Sequence, residues 1–231
     1  MQFRTFSVIA CIFVASCKGF VPDALDTGNL HFVEPFQDWR NGRGECVEGQ
    51  TCWSEMDQDM IRELISLRDS SSAVFKDNEN GTLTHLGISA EVGRGKYRVE
   101  QYFMAYLNQP CLPDQPSLGM QRTGVGVRVI ADITSRVKKL NLGGLLPLAA
   151  AAEKGIVTGR IQVRTWGIHS SNRTVARLLS NSTAPLNEEG VKTAIGKLEL
   201  SEKILDDPDT KLNPWTFAVV ESAPGSCQDK T

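Results

Sequence analysis

The side chains best suited to acid–base chemistry are three histidines that lie far apart in the sequence, His31, His85 and His169. Imidazole titrates near neutral pH, so each could act as a general base. The chain has neither a His-Glu-x-x-His zinc helix nor a Gly-x-Ser-x-Gly nucleophile elbow. We interpret His85 and His169 as surface or loop histidines and name no catalytic residue. A convergent hydrolytic site is defined by geometry rather than spacing, so that alternative stays open.

Three arginines could bind an anion. Arg128 lies in a predicted strand over 123–134, and Arg160 and Arg164 lie in a second one over 156–168. All three fall on the less apolar faces of these strands. A guanidinium pairs well with carboxylate or phosphate, such as the acidic groups of cell-wall material or lipopolysaccharide. The alternative is a solvated sheet face on which Asp132 balances part of the charge.

Two segments come close to a nucleotide or metal motif without matching one. Gly190 and Gly196-Lys197 resemble a phosphate loop, but five residues separate the glycines and a predicted helix contains them. Asp77, Glu79 and Gly81 lack the spacing of a calcium loop. We therefore predict no cofactor and no metal.

The N-terminal segment predicts export. Arg4 is followed by the apolar run 6–15, a pattern typical of a secretory signal. The run is too short to span a bilayer, which needs about 20 residues. It ends in Val14-Ala15-Ser16-Cys17, which resembles the lipobox of bacterial lipoproteins.

The lipobox resemblance implies a membrane anchor. It implies cleavage before Cys17, a diacylglycerol group on the Cys17 sulfur, and membrane lipid as a partner. Lys18, where an aspartate would retain a lipoprotein at the inner membrane, implies outer-membrane sorting. The alternative is a secreted eukaryotic protein, which the sequons at Asn80, Asn172 and Asn181 would suit.

The remaining cysteines suggest disulfides. Of the six, Cys11 would be removed and Cys17 acylated, which leaves four. An even number in an exported protein favours two disulfides, and four cysteines allow three pairings. We favour Cys46–Cys52 and Cys111–Cys227. Free buried cysteines are the alternative.

Length and charge limit the classes of function. Removing residues 1–16 from the 231-residue chain leaves 215, enough for one domain with its own core. We expect a signal peptide over 1–16, a lipidated N-terminus and tether over 17–45, and one globular domain over 46–231. The net charge of −2 gives no indication of nucleic-acid binding.

Hydrophobic periodicity predicts an α+β domain. Helices are expected over 54–69, 140–155 and 174–179, and after an N-cap at Asn187. Strands are expected over 73–76, 82–92, 96–107, 123–134, 156–168 and 215–221, and a proline-rich loop over 108–122. This pattern predicts an antiparallel sheet of about five or six strands with three or four packed helices.

These observations lead to one main functional hypothesis and two alternatives. The main hypothesis is a non-enzymatic envelope lipoprotein that binds or assembles with an envelope protein or cell-wall material. The first alternative is an envelope enzyme with a convergent hydrolytic site. The second is an oligomeric pore or secretion-channel subunit, because the strands over 123–134 and 156–168 are long enough for a membrane and the connector 140–152 is apolar.

Overall fold

The computed structural model of the chain describes residues 30–36, 53, 56–109 and 120–220. The signal segment, the lipobox and all six cysteines lie outside these residues. Lipidation of Cys17 and the pairings Cys46–Cys52 and Cys111–Cys227 therefore stay predictions.

The described residues form four helices and twelve strands. The helices are α1 (Gln58–Leu64), α2 (Leu145–Glu153), α3 (Arg173–Leu178) and α4 (Glu188–Ile204). The strands are β1 (Leu30–Phe36), β2 (Leu67–Asp77), β3 (Leu83–Gly87), β4 (Ala90–Val92), β5 (Gly95–Gln109), β6 (Met120–Ser135), β7 (Leu140–Leu142), β8 (Val157–Trp166), β9 (Ile168–Ser170), β10 (Ser182–Pro185), β11 (Thr210–Leu212) and β12 (Trp215–Val220).

The main sheet has eight strands, and its pairs are antiparallel. Six follow the order β1-β12-β6-β5-β2-β3, while β8 pairs with β6 and β10 pairs with β8. The long strand β6 pairs with β5 along one side; on its other side, β12 pairs with the first part of β6 and β8 with the rest. The α+β prediction is confirmed. Strands β1 and β10 extend the sheet beyond the six segments that the sequence predicted.

The larger of two buried apolar clusters in the described residues lies between one face of this sheet and the helices, and the smaller one, which includes Tyr102 and Phe217, lies on the other face. Alternate residues of β6 from Val125 to Ile133 are buried, as the strand pattern predicted. Helix α4 packs on β6 and β8 through a stripe that includes Val191 and Ala194, and α2 packs on α4. Asn187 caps α4 as predicted, because its Oδ1 accepts a hydrogen bond from Gly190 N at 2.8 Å.

The apolar connector between β6 and β8 forms helix α2. Leu145, Leu148 and Ala151 are buried, while Leu146 is 71% exposed. The helix ends just before Gly155, whose φ of +67° suits glycine. Within the described ranges, no helix combines the length and the apolar composition that a membrane crossing needs.

The predicted helix over 54–69 is wrong in its extent. The helix runs only from Gln58 to Leu64, and its N-cap is Asp57. Strand β2 begins at Leu67 and pairs residue by residue with β5 as far as Asp77. This ladder outweighs the local helical pattern, since tertiary context overrides weak helix propensity. The apolar side chains that predicted one helical face are therefore divided: Ile61 and Ile65 are buried, but Met60, Leu64 and Leu67 are exposed.

The predicted loop over 108–122 is also too long at both ends. Strand β5 continues to Gln109 and β6 begins at Met120, with Gln109 opposite Gln121. The hydrogen-bond ladder between these long strands extends the sheet toward the proline-rich segment. Residues 110–119 lie outside the described residues.

Candidate functional site

The three predicted anion-binding arginines lie on one face of the sheet, opposite the helices. Arg128 on β6 lies directly across from Arg164 on β8, and Asp132 lies across from Arg160. The strand pairing thus brings together arginines that are up to 36 positions apart in sequence, as the shared faces predicted.

Carboxylates already pair with two of these arginines. Arg128 contacts Glu100 through three nitrogen–oxygen distances of 2.7, 2.8 and 3.1 Å, and the Glu100 side chain is only 3% exposed. Arg160 lies 3.5 Å from Asp132, which also binds Arg98 at 2.8 Å. Arg128 and Glu100 therefore form an ion pair between the neighbouring strands β6 and β5. Anion binding by Arg128, Arg160 and Arg164 stays a prediction.

The histidines considered as bases occupy different environments. His85 is exposed on β3, and its ring centroid lies 5.3 Å from that of Phe75. His169 is exposed on β9 and lines a cavity, but the described residues that line this cavity include no aspartate or glutamate. The structure therefore does not join His169 to the acidic partner that a histidine-based hydrolytic site needs.

The cavity beside His169 is a groove of about 420 Å³ between the end of β8, β9, helix α3 and the start of β12. We call it the tryptophan groove, because Trp166 and Trp215 lie in its wall. The described residues that line it are Arg164, Thr165, Trp166, Gly167, Ile168, His169, Ser170, Ala176, Leu179, Ser180, Asn181 and Trp215. Its volume is in the range of small-molecule sites.

Three glycines allow close packing around this groove, and one of them makes room for an indole. A Cβ atom on Gly126, opposite Trp166, would lie 2.7 Å from an indole carbon. A Cβ atom on Gly124 would instead lie 2.1 Å from the Ala105 carbonyl oxygen, so this glycine makes room for the backbone of β5. Gly167 turns the chain from β8 into β9 with a φ of +68°, which glycine adopts without strain. Trp166 is thereby held against Phe217, with ring centroids 5.1 Å apart.

Three residues of the tryptophan groove carry buried polar atoms that have no hydrogen-bond partner in the described part of the chain. They are Thr165 Oγ1, Trp166 Nε1 and Trp215 Nε1. Thr165 lies opposite Val127 and Trp166 opposite Gly126, so these two side chains point to opposite faces of the sheet. Unpartnered buried atoms also occur elsewhere in the described residues, as at Ser135 Oγ, so they do not by themselves mark a ligand site. Asn181 also lines the groove; its Oδ1 accepts a hydrogen bond from Thr165 N at 2.7 Å, which leaves its amide hydrogens for a ligand.

A second groove lies on the other side of α3, between β8, β10 and α4, with a volume of about 620 Å³. We call it the lysine groove, because Lys197 of α4 lines it while being only 5% exposed. Lys197 Nζ lies 2.7 Å from the Ser180 carbonyl oxygen and 2.8 Å from Ser182 Oγ. Burial lowers the pKa of the Lys197 amine from its usual value of 10.5.

Neither groove was predicted from the sequence, although the sequence contains signals for both. Glycines at 124 and 126 inside a strand mark a close approach of other groups, here the β5 backbone at Gly124 and the Trp166 indole at Gly126. Lys197 falls on the buried stripe of α4, three residues after Ala194 and four before Ser201. A lysine among small residues on an apolar stripe indicates a buried amine. The pairing of this amine with Ser182 depends on the fold, because β10 brings that residue to α4.

Neither a metal-site geometry nor a known relative indicates the function of these grooves. Among the described residues, no three His, Cys, Asp or Glu side chains lie close enough to hold a metal ion. The chain matches no protein-family model, and no curated protein or solved structure matches it.

Proposed function

We propose that this chain is an envelope lipoprotein, tethered by acylated Cys17, that binds cell-wall glycan in the tryptophan groove. This is the binding-module hypothesis, now with a specific binding groove and a specific class of ligand. The observation that carries it is the presence of two indoles, those of Trp166 and Trp215, among the residues that line one groove.

The chemistry of the groove suits a sugar ring. An indole offers a flat apolar surface and one N–H donor, so it can pack on a pyranose and bind a hydroxyl. The side-chain amide of Asn181, which also lines the groove, offers donors to sugar hydroxyl groups.

Calorimetric titration with tetra-N-acetylchitotetraose, a soluble β-1,4-linked N-acetylglucosamine oligomer, tests the ligand class. The wild-type domain should bind it, and Trp215→Ala should weaken binding at least about tenfold, which is about 1.4 kcal/mol. Phe75→Ala is the matched control, because it removes a partly buried aromatic ring from β2. Absence of binding by the wild type, or equal affinity of Trp215→Ala, would refute glycan binding in this groove.

The membrane tether has its own test. Cys17→Ser should move the protein from the membrane to the soluble fraction, because one thioether carries the acyl chains that hold it there. Outer-membrane sorting, which Lys18 implies, predicts that the wild type fractionates with outer-membrane markers. An unchanged membrane fraction for Cys17→Ser would show that the anchor is wrong, and secretion would then be the better interpretation.

A further inference from the structure

We propose that Ser182 and Lys197 form a nucleophile–base pair that hydrolyses acyl esters or amides in the lysine groove. This goes beyond glycan binding and uses a different groove, on the other side of α3. The sequence left open an enzyme with a hydrolytic site but indicated no catalytic residues for it; Ser182 and Lys197 would be those residues.

The geometry is that of an activated nucleophile. A hydroxyl becomes nucleophilic when a base lies within hydrogen-bond reach and a third group orients that base. Ser182 Oγ and Lys197 Nζ are 2.8 Å apart, and the Ser180 carbonyl oxygen, 2.7 Å from Nζ, fixes the amine. Strand β10 holds Ser182 opposite Val163 of β8, while the buried stripe of α4 holds Lys197. Both partners thus lie on regular elements.

The surroundings of Lys197 favour the neutral amine that a base requires. Among the described residues Lys197 forms no ion pair, and both of its hydrogen-bond partners are uncharged. The other charged residues that line the groove, Arg177 and Glu189, are exposed on α3 and α4. Burial penalises the ammonium form and lowers the pKa of Lys197. A lysine with a lowered pKa can accept the serine proton at a moderately alkaline pH.

The reaction conserves atoms and charge. Ser182 Oγ bonds to the acyl carbon while its proton passes to Lys197 Nζ. The bond from that carbon to the leaving alcohol or amine then breaks, and the leaving group takes the proton from Nζ. Water next attacks the acyl-serine, gives one proton to Nζ and keeps its oxygen on the acid product. Ser182 Oγ leaves and recovers the proton from Lys197.

The walls of the groove favour an apolar acyl group. Ile161, Val163 and Ala184 come from β8 and β10, and Leu178, which is 46% exposed, comes from α3. We therefore expect short to medium aliphatic acyl chains to be better substrates than charged ones. An alkyl fluorophosphonate is a suitable probe, because Ser182 Oγ would bond to its phosphorus while the phosphorus–fluorine bond breaks and fluoride leaves.

Intact-mass and peptide analysis after incubation with the alkyl fluorophosphonate tests this proposal. One adduct on Ser182 is expected, with a labelling rate that rises with pH and levels off above the pKa of Lys197. Ser182→Ala should abolish labelling. Ser171→Ala is the matched control: it removes the hydroxyl of an exposed serine that lines neither groove, and it should label at the wild-type rate.

Two further variants separate catalysis from a structural role. Lys197→Arg keeps a positive charge and hydrogen-bond donors but does not lose its proton, so labelling should fall at least about a hundredfold, consistent with loss of a general base. Trp215→Ala should label normally, so failure of glycan binding and failure of this proposal can be told apart. An adduct on another residue, no adduct at all, or normal labelling of Ser182→Ala or Lys197→Arg would overturn the proposal.

Discussion

Replacing Arg128 by methionine should destabilise the domain by about 3 kcal/mol. The change removes the guanidinium but keeps an unbranched stem that packs on the sheet. Glu100 then remains as a carboxylate that is 3% exposed and has lost its three close contacts with Arg128. Loss of one partner of a buried ion pair costs about 3–5 kcal/mol, because the other charge stays buried without compensation.

The lower end of that range applies because Arg128 itself is 20% exposed. Water can therefore enter part of the space that the guanidinium leaves. A domain of this size loses about 2–4 °C in Tm per kcal/mol, so about 3 kcal/mol corresponds to a loss of about 6–12 °C. Replacing both residues, Arg128→Met with Glu100→Met, should recover most of the loss, because no unpaired charge is left.

Thermal and urea unfolding of the two variants measures this free energy. Lys139→Met is the matched control, because the Lys139–Glu91 pair is 3.2 Å long but its side chains are 80% and 66% exposed. Exposed pairs are worth about 0–1 kcal/mol, so the Tm of the control should change by no more than a few degrees. An Arg128→Met domain that unfolds like the control would refute the reasoning that Glu100 is buried and depends on Arg128.

Three further predictions concern other parts of the fold. Gly126→Val should displace Trp166, because even a Cβ atom at this position would lie 2.7 Å from the indole. The near-ultraviolet circular dichroism spectrum should therefore change, and an unchanged spectrum would contradict this packing. Asn187→Ala should cost about 1 kcal/mol in urea unfolding by removing the bond to Gly190 N, and no loss would argue against this cap. Because burial lowers the pKa of Lys197, its charge penalises the folded state below that pKa and the penalty disappears toward pH 10.5. The stability of the wild type relative to Lys197→Met should therefore rise between pH 7 and pH 10, and a constant difference would disprove a depressed pKa.

The sequence predicts the strands better than it predicts the site, and the residues show why. Val125 to Ile133 alternate in a period of two, and Asn187 precedes acidic residues and an apolar stripe, so local sequence alone indicates β6 and α4. The helix over 54–69 is overestimated because its second part pairs with β5, a partner about 40 residues away that the local pattern does not contain.

The two grooves depend on the same kind of distant pairing. Trp166 and Trp215 become neighbours of one cavity only because β8 and β12 both pair with β6. Ser182 meets Lys197 because β10 pairs with β8 and α4 packs on the same sheet. The arginine face was predictable, since it needs only that the two strands pair. The pairing of Arg128 with Glu100 was not predictable, because Glu100 lies on β5, which pairs with β6 on the side away from β8.

Nuclear magnetic resonance of the indole N–H groups tests glycan binding most directly. The chain has four tryptophans, at positions 39, 53, 166 and 215, so a ¹⁵N-labelled sample gives four indole signals that single substitutions can assign. Adding tetra-N-acetylchitotetraose should shift the signals of Trp166 and Trp215, which line the groove, and leave that of Trp53, buried in the main core, in place. If Trp166 and Trp215 do not respond at saturating saccharide, or if Trp53 responds equally, the tryptophan groove is not the glycan site.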